Sequence, residues 1–131
     1  MRALFESGEF VLHSGERSNF RIECDALTDA DLTTLAQMLV ARLPAFGAVE
    51  GVPRGGLRLA AALVPFVTRG PLLIVDDVYT TGTSVRAHRG DREAIGAVLF
   101  SRNPVTEDWI YPLFTLGGAW KREGRKEKES T

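Results

Sequence analysis

The sequence is short of lysine, cysteine and long apolar runs, and each shortage narrows what the protein can be. All three lysines lie in the last eleven residues, so every earlier cation apart from histidine is an arginine. The single cysteine, Cys24, excludes a disulfide within the chain. No apolar run is long enough to span a bilayer, and no signal-like apolar segment follows Met1. These absences predict a cytoplasmic protein that does not bind membranes.

The charge balance excludes another class of partner. The formal net charge is −1 over 131 residues, so nothing favours bulk attraction to nucleic acid. The apolar fraction of 44% and the charged fraction of 25% are typical of a globular protein of one domain. We expect that domain to cover residues 1–118. Residues 119–131 have almost no apolar content beyond Trp120 and are expected to form a charged, disordered tail.

Apolar segments alternate with predicted helices along most of the chain. Apolar residues on either side of the turn-like stretch HSGERS predict two short antiparallel strands. Thr28 suits the N-cap of a helix that Pro44 would stop. Further helices are predicted over 57–66, packed on both sides, and from 83; apolar strands are predicted at 48–52, 72–75, 94–100 and 109–116. This order predicts an α/β fold: a Rossmann-like, mostly parallel sheet flanked by helices, with a small N-terminal hood of short strands.

The segment PLLIVDDVYTTGTSVR, residues 71–86, carries the clearest chemical signal. It places Asp76 and Asp77 at the end of an apolar strand, the edge at which open parallel sheets bind ligands. Two adjacent carboxylates repel each other, so the strand would not hold them there without a partner. The following residues, named here the hydroxyl loop, offer backbone N–H groups and hydroxyls that suit phosphate: Thr80, Thr81, Gly82, Thr83 and Ser84.

A ribose 5-phosphate satisfies both halves of this segment, since its hydroxyls can donate to the carboxylates while its phosphate occupies the loop. The loop has no lysine, which excludes the phosphate loop of nucleoside triphosphatases, and the chain has no GxGxxG dinucleotide motif. The competing interpretation is a buried strand that ends in an Asp-rich turn.

The stretch LLIVDDVYTTGTS resembles the phosphoribosyl pyrophosphate (PRPP) motif of type I phosphoribosyltransferases. Tyr79 departs from it, since the family usually has an aliphatic residue there. GEFVLHSGERSNF, GAVEGVPRGGLRLAAAL, AIGAVLFSRN and YPLFTL resemble segments of the orotate branch. The resemblance covers residues 9 to about 117. It implies transfer of a phosphoribosyl group to a base such as orotate in pyrimidine biosynthesis, with release of pyrophosphate, in a homodimer.

The resemblance also implies roles for particular residues. Asp76 and Asp77 would bind the ribose hydroxyls and hold Mg²⁺ indirectly, through those hydroxyls or water. The hydroxyl loop would bind the 5-phosphate. Arg54 and Gly55 lie in residues 53–56, named here the PRGG loop, which would bind pyrophosphate; Arg54 could instead be an ordinary surface arginine. Asp76, Asp77 and Arg54 would carry catalysis.

The base-binding side of the resemblance rests on scattered residues. His13 stands where the family usually has a lysine that reaches pyrophosphate and base, or is an exposed strand residue. Ser18, Phe20 and Arg21 match the region that frames the base, although Phe20 could equally belong to the core. Arg102 lies just past a strand end, near the family's arginine for the orotate carboxylate.

The resemblance breaks between residues 67 and 71, where VTRGP replaces two strands and a long mobile loop of the family. That loop carries a lysine and a histidine that close over the transition state, and here Arg69 is the only cation. The helix after the motif is also short. Two functions stay open: a minimal phosphoribosyltransferase whose lid function comes from a partner subunit or from the Lys-rich tail, or a non-catalytic PRPP- or nucleotide-binding regulatory protein. In either case we expect weak or absent orotate turnover by the isolated chain. A protein-interaction module would leave the aspartates and the hydroxyl loop unexplained.

Overall fold

The computed structural model describes residues 3–11 and 17–116, with side chains of residues 17–20 excepted. Its strands are β1 Phe5–Val11, β2 Arg17–Ile22, β3 Ala48–Gly51, β4 Leu72–Tyr79, β5 Ala94–Ser101 and β6 Ile110–Thr115. Its α-helices are α1 Asp29–Val40, α2 Leu57–Leu63 and α3 Thr83–Arg89. Two short 3₁₀ helices span Cys24–Ala26 and Val64–Phe66. The predicted tail lies outside the described residues.

The strands form two sheets. Strands β1 and β2 pair as an antiparallel hairpin, while β3, β4, β5 and β6 form a parallel sheet in that order. The register places Val75 of β4 opposite Gly51 of β3 and Ala97 of β5. The predicted α/β fold, with a parallel sheet and a small N-terminal hood, is confirmed.

Alternate residues of the strands enter two cores on opposite faces of the sheet, as the period of two requires. On one face, Leu73 and Val75 pack in the cluster that contains α1 and α2 residues, including Leu39 and Leu63. On the other face, Ile74 packs in the cluster that contains Val85 of α3. The parallel sheet is therefore covered on both faces, which explains why its strands read as continuous apolar runs.

The crossovers around β4 have opposite hands. Both the β3–α2–β4 and the β4–α3–β5 connections advance one strand in the same direction, yet α2 and α3 cover opposite faces. One of them therefore departs from the usual right-handed rule. If α2 led to an additional strand on the free side of β3, the connection from β3 through α2 would run in the opposite direction across the sheet and would have the opposite hand. The two inserted strands that the resemblance implies fall at this point in the chain.

Helix α1 begins where the sequence predicts, because its first turn forms a capping box. The Asp31 N–H donates to Thr28 Oγ1 at 3.0 Å, and the Thr28 N–H donates to the Asp31 carboxylate at 2.9 Å. The buried side chains recur at helical spacing: Leu32, Ala36 and Leu39. The helix ends at Val40, before the predicted stop at Pro44.

Two predicted elements differ in extent from the structure. The predicted helix over 57–66 ends at Leu63 and continues as a 3₁₀ turn, because Pro65 has no N–H to donate within the helix. Its predicted burial on both sides is wrong, since Leu57 is 51% exposed and Val64 is 58% exposed. The predicted strand at 72–75 runs on to Tyr79, so both aspartates lie within it.

Candidate functional site

Three loops meet at the carboxyl edge of the parallel sheet, since parallel strands all end on the same side. The PRGG loop follows β3, the hydroxyl loop follows β4, and residues 102–109 follow β5. The candidate ligand-binding site is built from the PRGG loop, the hydroxyl loop and the last residues of β4, while Asn103 and Glu107 of the third segment contact the hydroxyl loop or the residues beside it.

Asp76 is the aspartate that shares a cavity with the hydroxyl loop. A cavity of about 390 Å³ is lined by Asp76 and by residues 78–85. The side chain of Asp76 is buried, and its Oδ1 accepts a hydrogen bond from the Asp77 N–H at 2.8 Å. The structure thus brings a carboxylate and the predicted phosphate-binding groups to one cavity.

Asp77 lies against the PRGG loop. A Cβ atom on Gly55 would fall 2.5 Å from Asp77 Oδ1 and closer still to Oδ2, so only glycine leaves room for this carboxylate. The PRGG loop is held beside β4 by hydrogen bonds from the Val52 N–H to the Val75 carbonyl and from the Gly56 N–H to the Val52 carbonyl, both 2.8 Å. The aspartate pair therefore bridges the two predicted anion-binding loops.

Burial and the neighbouring charge of Asp77 control the ionisation of Asp76. Burial raises the pKa of Asp76 to about 8, and the charge and hydrogen bond of Asp77 add to the rise. Cys24, in the 3₁₀ turn after the hairpin, lies beside the same pair. Burial, then the charge of Asp77 and a hydrogen bond to it, raise the pKa of the Cys24 thiol, which is therefore protonated at neutral pH.

Arg54 is exposed at the tip of the PRGG loop, and the Pro53–Arg54 peptide bond is cis. The Leu57 N–H donates to the Arg54 carbonyl at 3.1 Å as the chain enters α2. An exposed guanidinium beside a glycine pair is open to an anionic ligand. The role of Arg54 in binding pyrophosphate stays a prediction.

The hydroxyl loop turns sharply at Gly82, whose φ of 84° lies in the left-handed region that favours glycine. The hydroxyls of Thr81 and Thr83 lie 2.9 Å apart. The Thr80 carbonyl accepts a hydrogen bond from Asn103 Nδ2 at 2.7 Å, which ties the loop to the segment after β5. The loop thus has a defined shape in the free protein.

Sequence reasoning missed the residues that support this loop. Arg86 Nη1 donates to the Thr81 carbonyl at 2.9 Å and also pairs with Glu107 Oε2, while the Tyr79 hydroxyl donates to Glu107 Oε1 at 2.7 Å. The one sequence signal was Tyr79, which departs from the aliphatic pattern and here reaches a polar partner. No sequence pattern pairs Glu107 with Arg86, because β5 separates the two residues along the chain.

The predicted base-binding residues are only partly described. Arg21 Nε donates to Glu6 at 2.9 Å, and its guanidinium lies 4.9 Å from the centre of the Phe10 ring, so it is engaged within the hairpin. Arg102 is buried at 7% exposure, and its N–H donates to the Tyr79 carbonyl at 2.8 Å. His13 and the side chains of Ser18 and Phe20 lie outside the described residues. A role for these residues in binding a base stays a prediction.

The short connection before β4 lies at the opposite edge of the sheet from the site. The Thr68 N–H donates to the Phe46 carbonyl, and the Gly47 N–H donates to the Pro71 carbonyl, both at 2.9 Å. These bonds hold residues 67–71 beside the amino ends of β3 and β4. Arg69, the one cation of this segment, therefore lies far from the carboxyl edge.

The described residues contain neither a cluster of metal-ligating side chains nor a membrane-spanning helix. Within residues 3–11 and 17–116, no group of three or more histidine, cysteine, aspartate or glutamate residues could hold a metal ion. The helices in the same part of the chain lack the length and apolar content needed to cross a membrane.

Comparison with solved structures gives clear fold neighbours. The structure is similar to orotate phosphoribosyltransferase from Aeropyrum pernix, with 25% sequence identity, a TM-score of 0.71, and coverage of 92% of this chain and 93% of that chain. The enzyme from Francisella tularensis matches with 19% identity, a TM-score of 0.60, and coverage of 95% and 85%, respectively. The enzyme from Mycobacterium tuberculosis matches with 14% identity, a TM-score of 0.61, and coverage of 87% and 90%.

No protein-family model and no curated protein matches the sequence. The assignment therefore rests on the structural comparison, in which three orotate phosphoribosyltransferases align with most of the chain. The chain has the type I phosphoribosyltransferase fold, and its structural neighbours are orotate phosphoribosyltransferases.

Proposed function

We propose that this protein binds PRPP with Mg²⁺ at the carboxyl edge of its sheet and transfers the phosphoribosyl group to a base such as orotate. The observation that carries the proposal is the placement of the aspartate pair. Asp76 shares a cavity with the hydroxyl loop, and Asp77 lies against Gly55 of the PRGG loop. PRPP carries a phosphate at C5 of its ribose and a diphosphate at C1, so one ligand can occupy both loops and the aspartates between them.

In the proposed reaction, a ring nitrogen of the base forms a bond to C1 of PRPP while the bond from C1 to pyrophosphate breaks. Asp76 and Asp77 would orient the ribose through its hydroxyls, and Arg54 would offset the charge of departing pyrophosphate. The pair would hold Mg²⁺ indirectly, through ribose hydroxyls or water, a role that a protonated Asp76 can share because its carboxyl oxygen still accepts hydrogen bonds. The ion would supply positive charge to the diphosphate when bound.

The short connection before β4, residues 67–71, leads us to expect slow turnover. Lid closure excludes water and supplies charge to a leaving group, and residues 67–71 lie at the wrong edge of the sheet to do either. This placement favours weak turnover. It also keeps open the second function, a PRPP- or nucleotide-binding regulatory protein, which needs the binding site and no lid.

Calorimetry with PRPP and Mg²⁺ tests the binding half of the proposal. We expect saturable binding to the unchanged protein and about tenfold weaker binding to Asp77→Asn, because the amide cannot replace a charge-assisted acceptor of ribose hydroxyls. Asp108→Asn removes an exposed acid outside the aspartate pair and should bind like the unchanged protein. Absence of heat with the unchanged protein, or equal affinity in Asp77→Asn, would refute the proposal.

An orotate absorbance assay tests the transfer half. We expect turnover below about 1 s⁻¹, the low end of ordinary enzymes, because residues 67–71, which replace the family's lid, lie too far from the site to close over it. Slow turnover that Asp77→Asn reduces further would support a weak transferase. Binding of PRPP without turnover would favour the regulatory alternative, and turnover well above that rate would refute the argument from the lid.

A further inference from the structure

Glu107 lies beneath the hydroxyl loop and holds two of its supporting residues. One carboxylate oxygen accepts from the Tyr79 hydroxyl at 2.7 Å, and the other pairs with Arg86 Nη1. The side chain of Glu107 is only 10% exposed, against 47% for Arg86. Burial would raise the pKa of Glu107, but hydrogen bonds from Tyr79 and Arg86 outweigh it and keep the pKa below its ordinary value. The carboxylate is therefore ionised at neutral pH.

This network is packed directly against the turn of the loop. A Cβ atom on Gly82 would fall 2.7 Å from Arg86 Nη1, 2.8 Å from Glu107 Oε2 and 2.8 Å from a ring carbon of Tyr79. The Thr106 N–H also donates to the Tyr79 hydroxyl, at 3.4 Å. The network therefore lies directly against the turn of the loop at Gly82.

Arg86 acts on the peptide groups that the loop offers to a ligand. Its Nη1 donates to the Thr81 carbonyl at 2.9 Å, while Asn103 holds the Thr80 carbonyl at 2.7 Å. In a trans peptide the carbonyl and the following N–H point in opposite directions. Holding these two carbonyls therefore fixes the directions of the next N–H groups, those of Thr81 and Gly82.

We propose that Glu107, acting through Arg86 and Tyr79, is the residue that positions the hydroxyl loop for a ligand phosphate. The ion pair directs the Arg86 guanidinium to the Thr81 carbonyl, so Nη1 of Arg86 is engaged in supporting the loop. This inference rests on the proposed function, because it takes the loop as the site of the 5-phosphate. Glu107 is a positioning residue and does not contact the ligand.

The test compares two ligands in the full chain. Ribose 5-phosphate should require the hydroxyl loop, whereas pyrophosphate should bind at the PRGG loop, which does not contact the network. We expect Glu107→Gln to weaken ribose 5-phosphate about tenfold in calorimetry and to leave pyrophosphate within twofold. Tyr79→Phe keeps the ion pair and should weaken ribose 5-phosphate about threefold. The matched control Asp108→Asn removes a neighbouring exposed charge and should change neither affinity.

Amide hydrogen exchange gives a readout that needs no ligand. Peptides that cover residues 80–85 should exchange several-fold faster in Glu107→Gln and at the unchanged rate in Asp108→Asn. Unchanged exchange, or equal or tighter binding of ribose 5-phosphate in Glu107→Gln, would overturn the inference; tighter binding would show that Arg86 contacts the phosphate once released. Failure of the unchanged protein to bind ribose 5-phosphate would instead refute the proposed function, and faster exchange would still show that Glu107 holds the loop.

Discussion

Replacing Gly55 with alanine should weaken the binding of PRPP with Mg²⁺ about a hundredfold, while the protein stays folded. The new Cβ would lie 2.5 Å from Asp77 Oδ1, far inside any real contact. The atoms that it meets are the end of a side chain, which can rotate away at little cost to stability. The new methyl group must displace either the Asp77 carboxylate or the PRGG loop, and both belong to the proposed site. A hundredfold loss of affinity corresponds to about 2.7 kcal/mol.

The measurement is calorimetric titration with PRPP and Mg²⁺, together with thermal unfolding followed by circular dichroism. Gly90→Ala is the matched control, because Gly90 has a φ of 62° with open space around its Cβ position and lies at the end of α3. Alanine there should cost on the order of 1–3 kcal/mol of stability through backbone strain, because few residues other than glycine adopt φ 62° with ψ −134°, and should leave affinity unchanged. If Gly55→Ala bound PRPP within threefold of the unchanged protein, the contact between Gly55 and Asp77 would have no part in binding.

Replacing Asp76 with asparagine should stabilise the protein above pH 8, by on the order of 3 kcal/mol in the free energy of unfolding. Burial and the neighbouring Asp77 raise the folded pKa of Asp76 from 3.8 to about 8. Between these values the folded protein keeps a proton that the unfolded chain has released. Stability from this group therefore falls as pH rises through the window. Asparagine cannot ionise, and its side-chain oxygen can still accept from the Asp77 N–H.

Urea unfolding at a series of pH values between 5 and 9 measures this effect. The difference between Asp76→Asn and the unchanged protein should grow with pH and become constant above about 8, the folded pKa. Asp108→Asn, at an exposed position, should track the unchanged protein throughout. A difference that is independent of pH, or lower stability of Asp76→Asn at pH 9, would show that Asp76 ionises without a penalty. A binding site that keeps an acid buried for its ligand does so at a cost to stability, so replacing that acid is expected to stabilise the free protein.

The local spacing of residues was enough to predict the hydroxyl loop and the neighbouring aspartates. Thr80 to Ser84 follow Asp76 and Asp77 within eight positions of the sequence, and such short-range spacing determines where backbone and side-chain groups can point. The buried runs at 72–75 and 94–100 predicted parallel strands, because a strand covered on both faces has no polar side. The capping box of Thr28 and Asp31 is equally local.

Residues that act across the fold were beyond local spacing. Gly55 was expected to bind an anion through its backbone, whereas the structure shows that it also leaves room for Asp77. Glu107 carried no recognisable pattern, because its partners Tyr79 and Arg86 belong to other elements. The sequence also left open whether Arg69 could act at the site, and the hydrogen bonds of residues 67–71 place it at the opposite edge.

The amino-acid sequence by itself determined the kind of fold and the chemistry of one contiguous loop, since both depend on periodicity and on the conformations of neighbouring residues. Only the tertiary structure decided which face each helix covers, that Asp76 is buried enough to keep its proton near neutral pH, and that Glu107 supports the hydroxyl loop. The physical reason is the same in each case: burial, pKa and long-range ion pairs depend on distances between segments that meet only when the sheet has formed.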